Sequence, residues 1–201
     1  MGYTHLHLAR LMREVSESHV HAGRDTREAG WNLLNREEAQ GRRAWALRFV
    51  YPQGGVGMRV YLDNCCYNRP FDDQSQLKVR LETEAKLFVQ QLMRTGAVEY
   101  VWSDMLANEV DESKFWERKM RIVPWVVGAA VYVVTTPEIE KQAETFMGMG
   151  VKPSDAIHLA SAVSADCDWF FTVDRGILKK VSCVGKMRVA NPLELIQEIN
   201  P

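Results

Sequence analysis

Two short apolar runs end on an aspartate: Arg59-Val-Tyr-Leu-Asp63 and Trp169-Phe-Phe-Thr-Val-Asp174. Runs this short and this apolar read as strands buried on both faces. Helical patterns lie between them. From Gln74 to Arg94, the residues Leu77, Leu81, Ala85, Phe88 and Leu92 recur with helical spacing. Val98 to Trp102 is a second strand, after which Ser103 can cap a helix carrying Leu106 and Glu109. A further helix is expected over Lys114 to Arg121, stopped by Pro124. Val131 to Thr135 reads as the third strand. Pro137 then opens a helix that Gly148-Met-Gly150 closes. Ser154 is expected to cap the next, with Ala156, Ile157, Leu159, Ala160 and Val163 as its apolar positions. Trp169 to Val173 is the fourth strand, Met187 to Ala190 the fifth, and a last helix starts at Pro192. Strands separated by helices require crossovers, so the expectation is a three-layer α/β/α fold with a mainly parallel central sheet. Ligands bind such sheets beyond the carboxyl ends of the strands. Asp63 and Asp174 both stand there.

The chain changes character near Met58. Before it come Arg10, Arg13, Arg24, Arg27, Arg36, Arg42, Arg43 and Arg48 but no lysine, and four of the five histidines (His5, His7, His19 and His21). The breaker-rich Tyr51-Pro-Gln-Gly-Gly-Val-Gly57 reads as a linker. Residues 1–57 are therefore expected to form a helical or poorly ordered extension, either native or translated from an early start. Residues 58–201 form the folded domain. In the extension, two helix-compatible stripes run through Leu6, Leu8, Leu11, Met12 and Val15, and through Trp31, Leu33, Leu34, Ala44, Trp45, Leu47 and Phe49. Histidines two residues apart on a helix point away from each other, so His5/His7 and His19/His21 are read as incidental.

Cys65, Cys66, Cys167 and Cys183 form no C-x-x-C pair, which argues against a zinc ribbon or redox motif. All four are read as small buried residues of a reducing compartment, with Cys65 and Cys66 on opposite faces of an extended segment. The longest apolar stretch, Trp125 to Val134, is too short for a bilayer, and no signal-peptide core opens the chain. A cytoplasmic protein without membrane attachment is expected. The net charge of -1 means that a nucleic acid would have to be attracted locally.

No phosphate-binding glycine loop or nucleophile elbow is present. Gly54, Gly55 and Gly57 precede a strand instead of following one. The carboxylates Asp63, Glu109, Asp155 and Asp174 are the remaining chemistry. Gathered at one sheet edge they would repel one another unless a cation neutralised them, and hard oxygen ligands suit Mg²⁺ or Mn²⁺. Each also has a plainer reading: Asp155 can complement a helix N-terminus, Asp174 can cap, and Glu109 can be a solvated helix residue. Asp63, closing an apolar strand, needs a partner.

The run Val60-Tyr-Leu-Asp-Asn-Cys-Cys-Tyr-Asn-Arg-Pro-Phe-Asp72 resembles the opening of PIN-domain proteins of the VapC-like toxin type. Ser103-x-x-Leu106-x-x-Glu109 resembles the second acidic segment of that family. Ser154-Asp-Ala-Ile-His-Leu-Ala-Ser-Ala162 resembles the third, and Phe171-Thr-Val-Asp174 the fourth. The resemblance spans about Met58 to Ile199 in the family's order. It implies a metal-dependent endoribonuclease, a toxin held silent by a small antitoxin; a homodimer is compatible with it. It also implies Asp63, Asp155 and Asp174 as Mg²⁺ or Mn²⁺ ligands, with Glu109 binding directly or through water. Asn64 and Thr172 would orient ligands or substrate. Asn64 stands where the family commonly has serine or threonine, and residues 1–57 match nothing in it.

Around these, Arg69, Arg175, Lys179 and Lys180 could contact RNA phosphates, with solvated surface charge as the plainer reading. His158 shares a helix face with Asp155 and could join the site, though a hydrogen-bonded structural histidine is the simpler reading. Phe115, Trp116 and Met120 are candidate apolar anchors for a partner, with core packing as their alternative. Trp116 and Trp125 read as packing or groove residues before base-stacking ones. The alternative function is a catalytically silent PIN-fold interaction module, which the presence of all four acids argues against. A haloacid-dehalogenase-like phosphatase would want an aspartate where Cys65 stands.

Overall fold

The structure is a computed structural model that describes residues 57–199. The first 56 residues, with the stripes, the paired histidines and most of the linker assigned to them above, lie outside the described residues.

The described chain alternates strands and helices. In order they are β1 (Arg59–Leu62), α1 (Asn64–Asn68), a 3-10 turn (Arg69–Phe71), α2 (Leu77–Thr95), β2 (Glu99–Ser103), α3 (Asp104–Glu112) and α4 (Trp116–Ile122). A second 3-10 segment (Val123–Gly128), β3 (Val131–Val133), α5 (Pro137–Gly148), α6 (Pro153–Ser164) and β4 (Trp169–Phe171) follow. The chain continues through α7 (Arg175–Leu178), β5 (Cys183–Val184), β6 (Met187–Ala190) and α8 (Pro192–Ile199).

The strands form one six-stranded sheet of order β3-β2-β1-β4-β6-β5, parallel except for the β5–β6 pair. Pleating sends successive side chains to opposite faces. Tyr61, Val101 and Phe170 therefore enter a core with Ile139, Ala143 and Phe146 of α5 and Ala156, Leu159 and Ala160 of α6. Their neighbours Val60, Leu62, Tyr100, Trp102, Trp169 and Phe171 face the other way. They pack with Val89 and Leu92 of α2, Leu106 and Val110 of α3, Ile122 of α4 and Leu195 of α8. Two cores on one sheet make the three-layer α/β/α architecture.

Local signals explain most boundaries. Gly96, at φ 67°, ends α2 in the left-handed conformation, and its N–H reaches back to the Leu92 and Met93 carbonyls. Ser103 caps α3 by accepting from the Leu106 N–H at 3.1 Å, and Thr136 caps α5, which Pro137 opens. Other expectations fail. Ser154 is not the cap of α6: Pro153 takes the first helical position, Lys152 stands at the cap, and no side chain bonds there. Pro124 ends the α-helical geometry of α4, but the chain tightens into the 3-10 segment instead of stopping. Cys65 and Cys66 lie in helix α1, not in an extended segment, and Cys183 is exposed on β5. All four cysteines are free.

Candidate metal centre

β1 and β4 are neighbours, yet the chain leaves β1 toward β2 and β3 and reaches β4 from the other side. Such a reversal opens a crevice at the carboxyl ends of the two strands. Asp63 follows β1 there, and Thr172 and Asp174 follow β4. β2, on the other side of β1, delivers α3 and Glu109 to the same edge. α6 runs back toward the start of β4, so its first turn, with Asp155, stands at that edge too.

Asp63 is 5% exposed. It occupies the cap position of α1 but makes no side-chain cap bond, so its carboxylate is not spent on that helix. Its Oδ2 accepts from the Thr172 hydroxyl at 2.7 Å and from the Cys65 thiol at 2.9 Å. The Thr172 hydroxyl oxygen in turn accepts from the Asp174 backbone N–H at 3.0 Å. Cys65 Sγ accepts from the Val173 N–H at 3.3 Å. Burial, then Cys66 and Asp63, push the Cys65 thiol well up, so it remains a protonated donor. Asp174 caps α7 through Oδ1 and the Gly176 N–H. A Cβ on Gly176 would lie 2.8 Å from that oxygen, so a larger residue there would shift the Asp174 carboxylate.

On the neighbouring flank a buried chain of polar groups leads to Glu109. The Tyr61 hydroxyl lies 2.6 Å from Ser103 Oγ and 2.7 Å from His158 Nδ1. His158 Nε2 is 3.1 Å from Glu109 Oε2, near enough for an ion pair but out of line for a straight hydrogen bond. Burial opposes ionisation of Glu109, but His158 and then the Asn64 amide outweigh it and hold the carboxyl below its usual range. Burial would likewise lower His158; Glu109, with the charges of Asp63 and Asp155, reverses this and raises it.

Ligand atoms of Asp63, Glu109 and His158 lie within 4.8 Å of one another, a spacing that could hold a metal ion. Asp155 and Asp174 fall outside that tight group but share its field. Burial raises the Asp155 carboxyl, and the charges of Asp63 and Asp174 raise it further. Like charges held this way are what a cation would relieve.

His158 and Cys65 are the site's surprises in position. The simpler reading of His158, a hydrogen-bonded structural residue, is half of its role, because one ring nitrogen is fixed by Tyr61 and the other is aimed at the acids. Its place three residues after Asp155 was the only signal available. Cys65 gave none beyond standing two residues after Asp63.

Among the cations, Arg69 is engaged by Asp72 at 3.0 Å and by the fully buried Glu82 at 3.1 Å. Lys180 Nζ bonds the Gly150 carbonyl. Arg175, which opens α7 directly after Asp174, and Lys179, which follows its end, are both exposed. No helix among the described residues is long and apolar enough to cross a membrane.

No protein-family profile matches the chain, and no curated protein sequence matches it. Among solved structures, the chain is similar to VapBC2 from Rickettsia felis, determined bound to a DNA fragment from its promoter. The identity is 11%, the match covers 67% of this chain and 98% of that one, and the TM-score is 0.41.

Proposed function

We propose that this chain is a metal-dependent endoribonuclease of the PIN type. The observation that carries the reading is the convergence of Asp63 and Glu109 with His158 at the β1–β4 crevice, beside Asp155 and Asp174. The donors fit a hard divalent cation: they are clustered carboxylates, among them an Asp155 carboxyl under like-charge pressure. Asp63, Glu109, Asp155 and Asp174 would hold Mg²⁺ or Mn²⁺, with His158 beside Asp63 and Glu109 in the tight group. When bound, the cation supplies charge neutralisation at a phosphodiester and a more acidic water.

The chain's own residues do the positioning. Thr172 and Cys65 fix one oxygen of Asp63 by donating to it. Tyr61 fixes the ring of His158, which holds Glu109 ionised. Asn64 adds its amide to Glu109. Arg175 and Lys179 would meet RNA phosphates, whereas Arg69 is committed to Glu82. In this reading residues 58–201 are the nuclease unit, residues 1–57 an appendage, and a small antitoxin the partner. The deciding experiment is cleavage of generic single-stranded RNA with and without Mn²⁺. Activity should need the metal and should fall by about 10²-fold or more in Asp63→Asn. Equal cleavage by both proteins would remove the reading.

A further inference from the structure

A second cavity, of about 390 Å³, opens between α2 and α4, with the end of α1 at its base. Phe71, Leu87, Ile122 and Trp125 give it apolar walls. Its polar residues are unusual in their burial. Tyr67 is 1% exposed, and Lys86 and Gln90 are each 4% exposed. Lys86 and Gln90 are four residues apart on α2 and so share a helix face. The Tyr67 hydroxyl and Gln90 Nε2 have no hydrogen-bond partner among the described residues. The Lys86 ammonium stands 5.7 Å from the centre of the Tyr67 ring, and no acid among the described residues pairs with it.

Buried polar groups are normally satisfied, and a buried ammonium without a counterion is costly. All three groups are hydrogen-bond donors: an ammonium, an amide NH₂ and a phenol. The one acid lining the cavity, Glu117, is exposed, as is Arg121. A neutral ligand would leave the ammonium uncompensated, and a cation would be repelled. We propose that this cavity binds a small carboxylate- or phosphate-bearing molecule with a ring-sized apolar body. The anion would sit among Lys86 Nζ, Gln90 Nε2 and the Tyr67 hydroxyl, and the body against Phe71 and Trp125. Burial lowers Lys86 to about 8, so near neutral pH it still carries the charge that an anion would meet.

The test titrates the full chain with sodium benzoate, inorganic phosphate and, as the neutral control, benzyl alcohol. Binding is followed by calorimetry and by the NMR signals of the Gln90 side-chain amide. At least one anion should bind saturably below about 10 mM and move those signals, with its preference between benzoate and phosphate naming the anion class. Benzyl alcohol should bind about tenfold more weakly or not at all, and Lys86→Met and Tyr67→Phe should each weaken the anion about tenfold. Tyr67→Phe removes one hydroxyl and keeps the ring, so it carries the test should Lys86→Met fold poorly. Absence of saturable binding by either anion, equal binding of benzyl alcohol, or a folded variant that binds like wild type overturns the proposal.

Discussion

The Thr172 hydroxyl stands 2.7 Å from Oδ2 of Asp63, joining two residues 109 positions apart in the chain. The same hydroxyl accepts from the Asp174 backbone N–H, so one side chain ties the Asp63 carboxylate to the backbone of Asp174. Both donors to Asp63, Thr172 and Cys65, converge on Oδ2. Among the described residues no hydrogen bond goes to Oδ1, which leaves that oxygen for the crevice.

Thr172→Val keeps the shape and removes the donor. Mn²⁺ affinity should fall about 10–100-fold, as when a group that orients a ligand is lost. Stability should drop by about 1–3 kcal/mol, because Asp63 stays buried with one bond fewer. Calorimetric Mn²⁺ titration and urea unfolding measure the two effects. Unchanged affinity would mean that Thr172 serves packing alone.

The parts of this arrangement legible in the sequence are those with local causes. Asp63 and Asp174 could be placed because an acid closing an apolar strand has few other positions, and Ser103 and Pro137 announced their helices by capping chemistry. α1 was missed because five residues are too few to show a helical period, and Asn64-Cys-Cys continues naturally from a strand. β5 is two residues long and depends on pairing with β6 across a turn in which Gly185 takes φ 57°. The misplaced cap at Ser154 came from residue preference, when Pro153 had already fixed the first turn. Nothing local could reveal that His158 meets Tyr61, or that Lys86, written as one polar residue of a long amphipathic helix, lies buried. Those are tertiary facts.

Tyr61→Phe tests the buried relay. It deletes the hydroxyl lying between Ser103 Oγ and His158 Nδ1 and leaves both with one partner fewer. A loss of about 1–3 kcal/mol in urea unfolding is expected, with a weaker hold of His158 on Glu109. The imidazole NMR signals should then show a more mobile or differently protonated ring. Wild-type stability and an unchanged ring would show the relay to be incidental.

Lys86 gives a pH signature. Its folded value, about 8, lies below the ordinary 10.5 because of burial. Between those values the unfolded chain binds the proton and the folded chain does not, so this group makes stability rise with pH. The slope is at most about 1.4 kcal/mol per pH unit. Cysteines and tyrosines titrate in the same window; burial pushes Cys167 up to about 12, and it acts in the opposite sense. The readout is therefore the stability difference between Lys86→Met and wild type. It should favour the variant near pH 7 and shrink as pH rises from 8 to 10. A constant difference would show that Lys86 is not the titrating group.

Asp155→Asn separates site from scaffold. Asp155 is held under the charges of Asp63 and Asp174, so its neutralisation should raise the metal-free Tm by about 1–3 °C. The Tm increase caused by Mn²⁺ should shrink in the same variant, because a ligand is gone. Differential scanning calorimetry with and without the metal checks both signs. A lower metal-free Tm would mean that Asp155 mainly serves the α6 N-terminus.

The partner reading rests on α4. Phe115 is 61% exposed and Trp116 is 59% exposed, so neither was absorbed into the core, and Arg118 lies over the Phe115 ring at 4.6 Å. An exposed tryptophan contributes little to folding but is the residue type most often dominant at an interface. Trp116→Ala should therefore leave stability within about 0.5 kcal/mol and RNA cleavage unchanged. Expression of the chain alone should slow growth, and Asp63→Asn should relieve it. If an antitoxin docks on α4, its co-expression should rescue wild-type cells more fully than Trp116→Ala cells. Equal rescue of both would move the docking surface elsewhere, and harmless expression of abundant, soluble wild-type protein would end the toxin reading while leaving a target-specific nuclease to be tested on RNA.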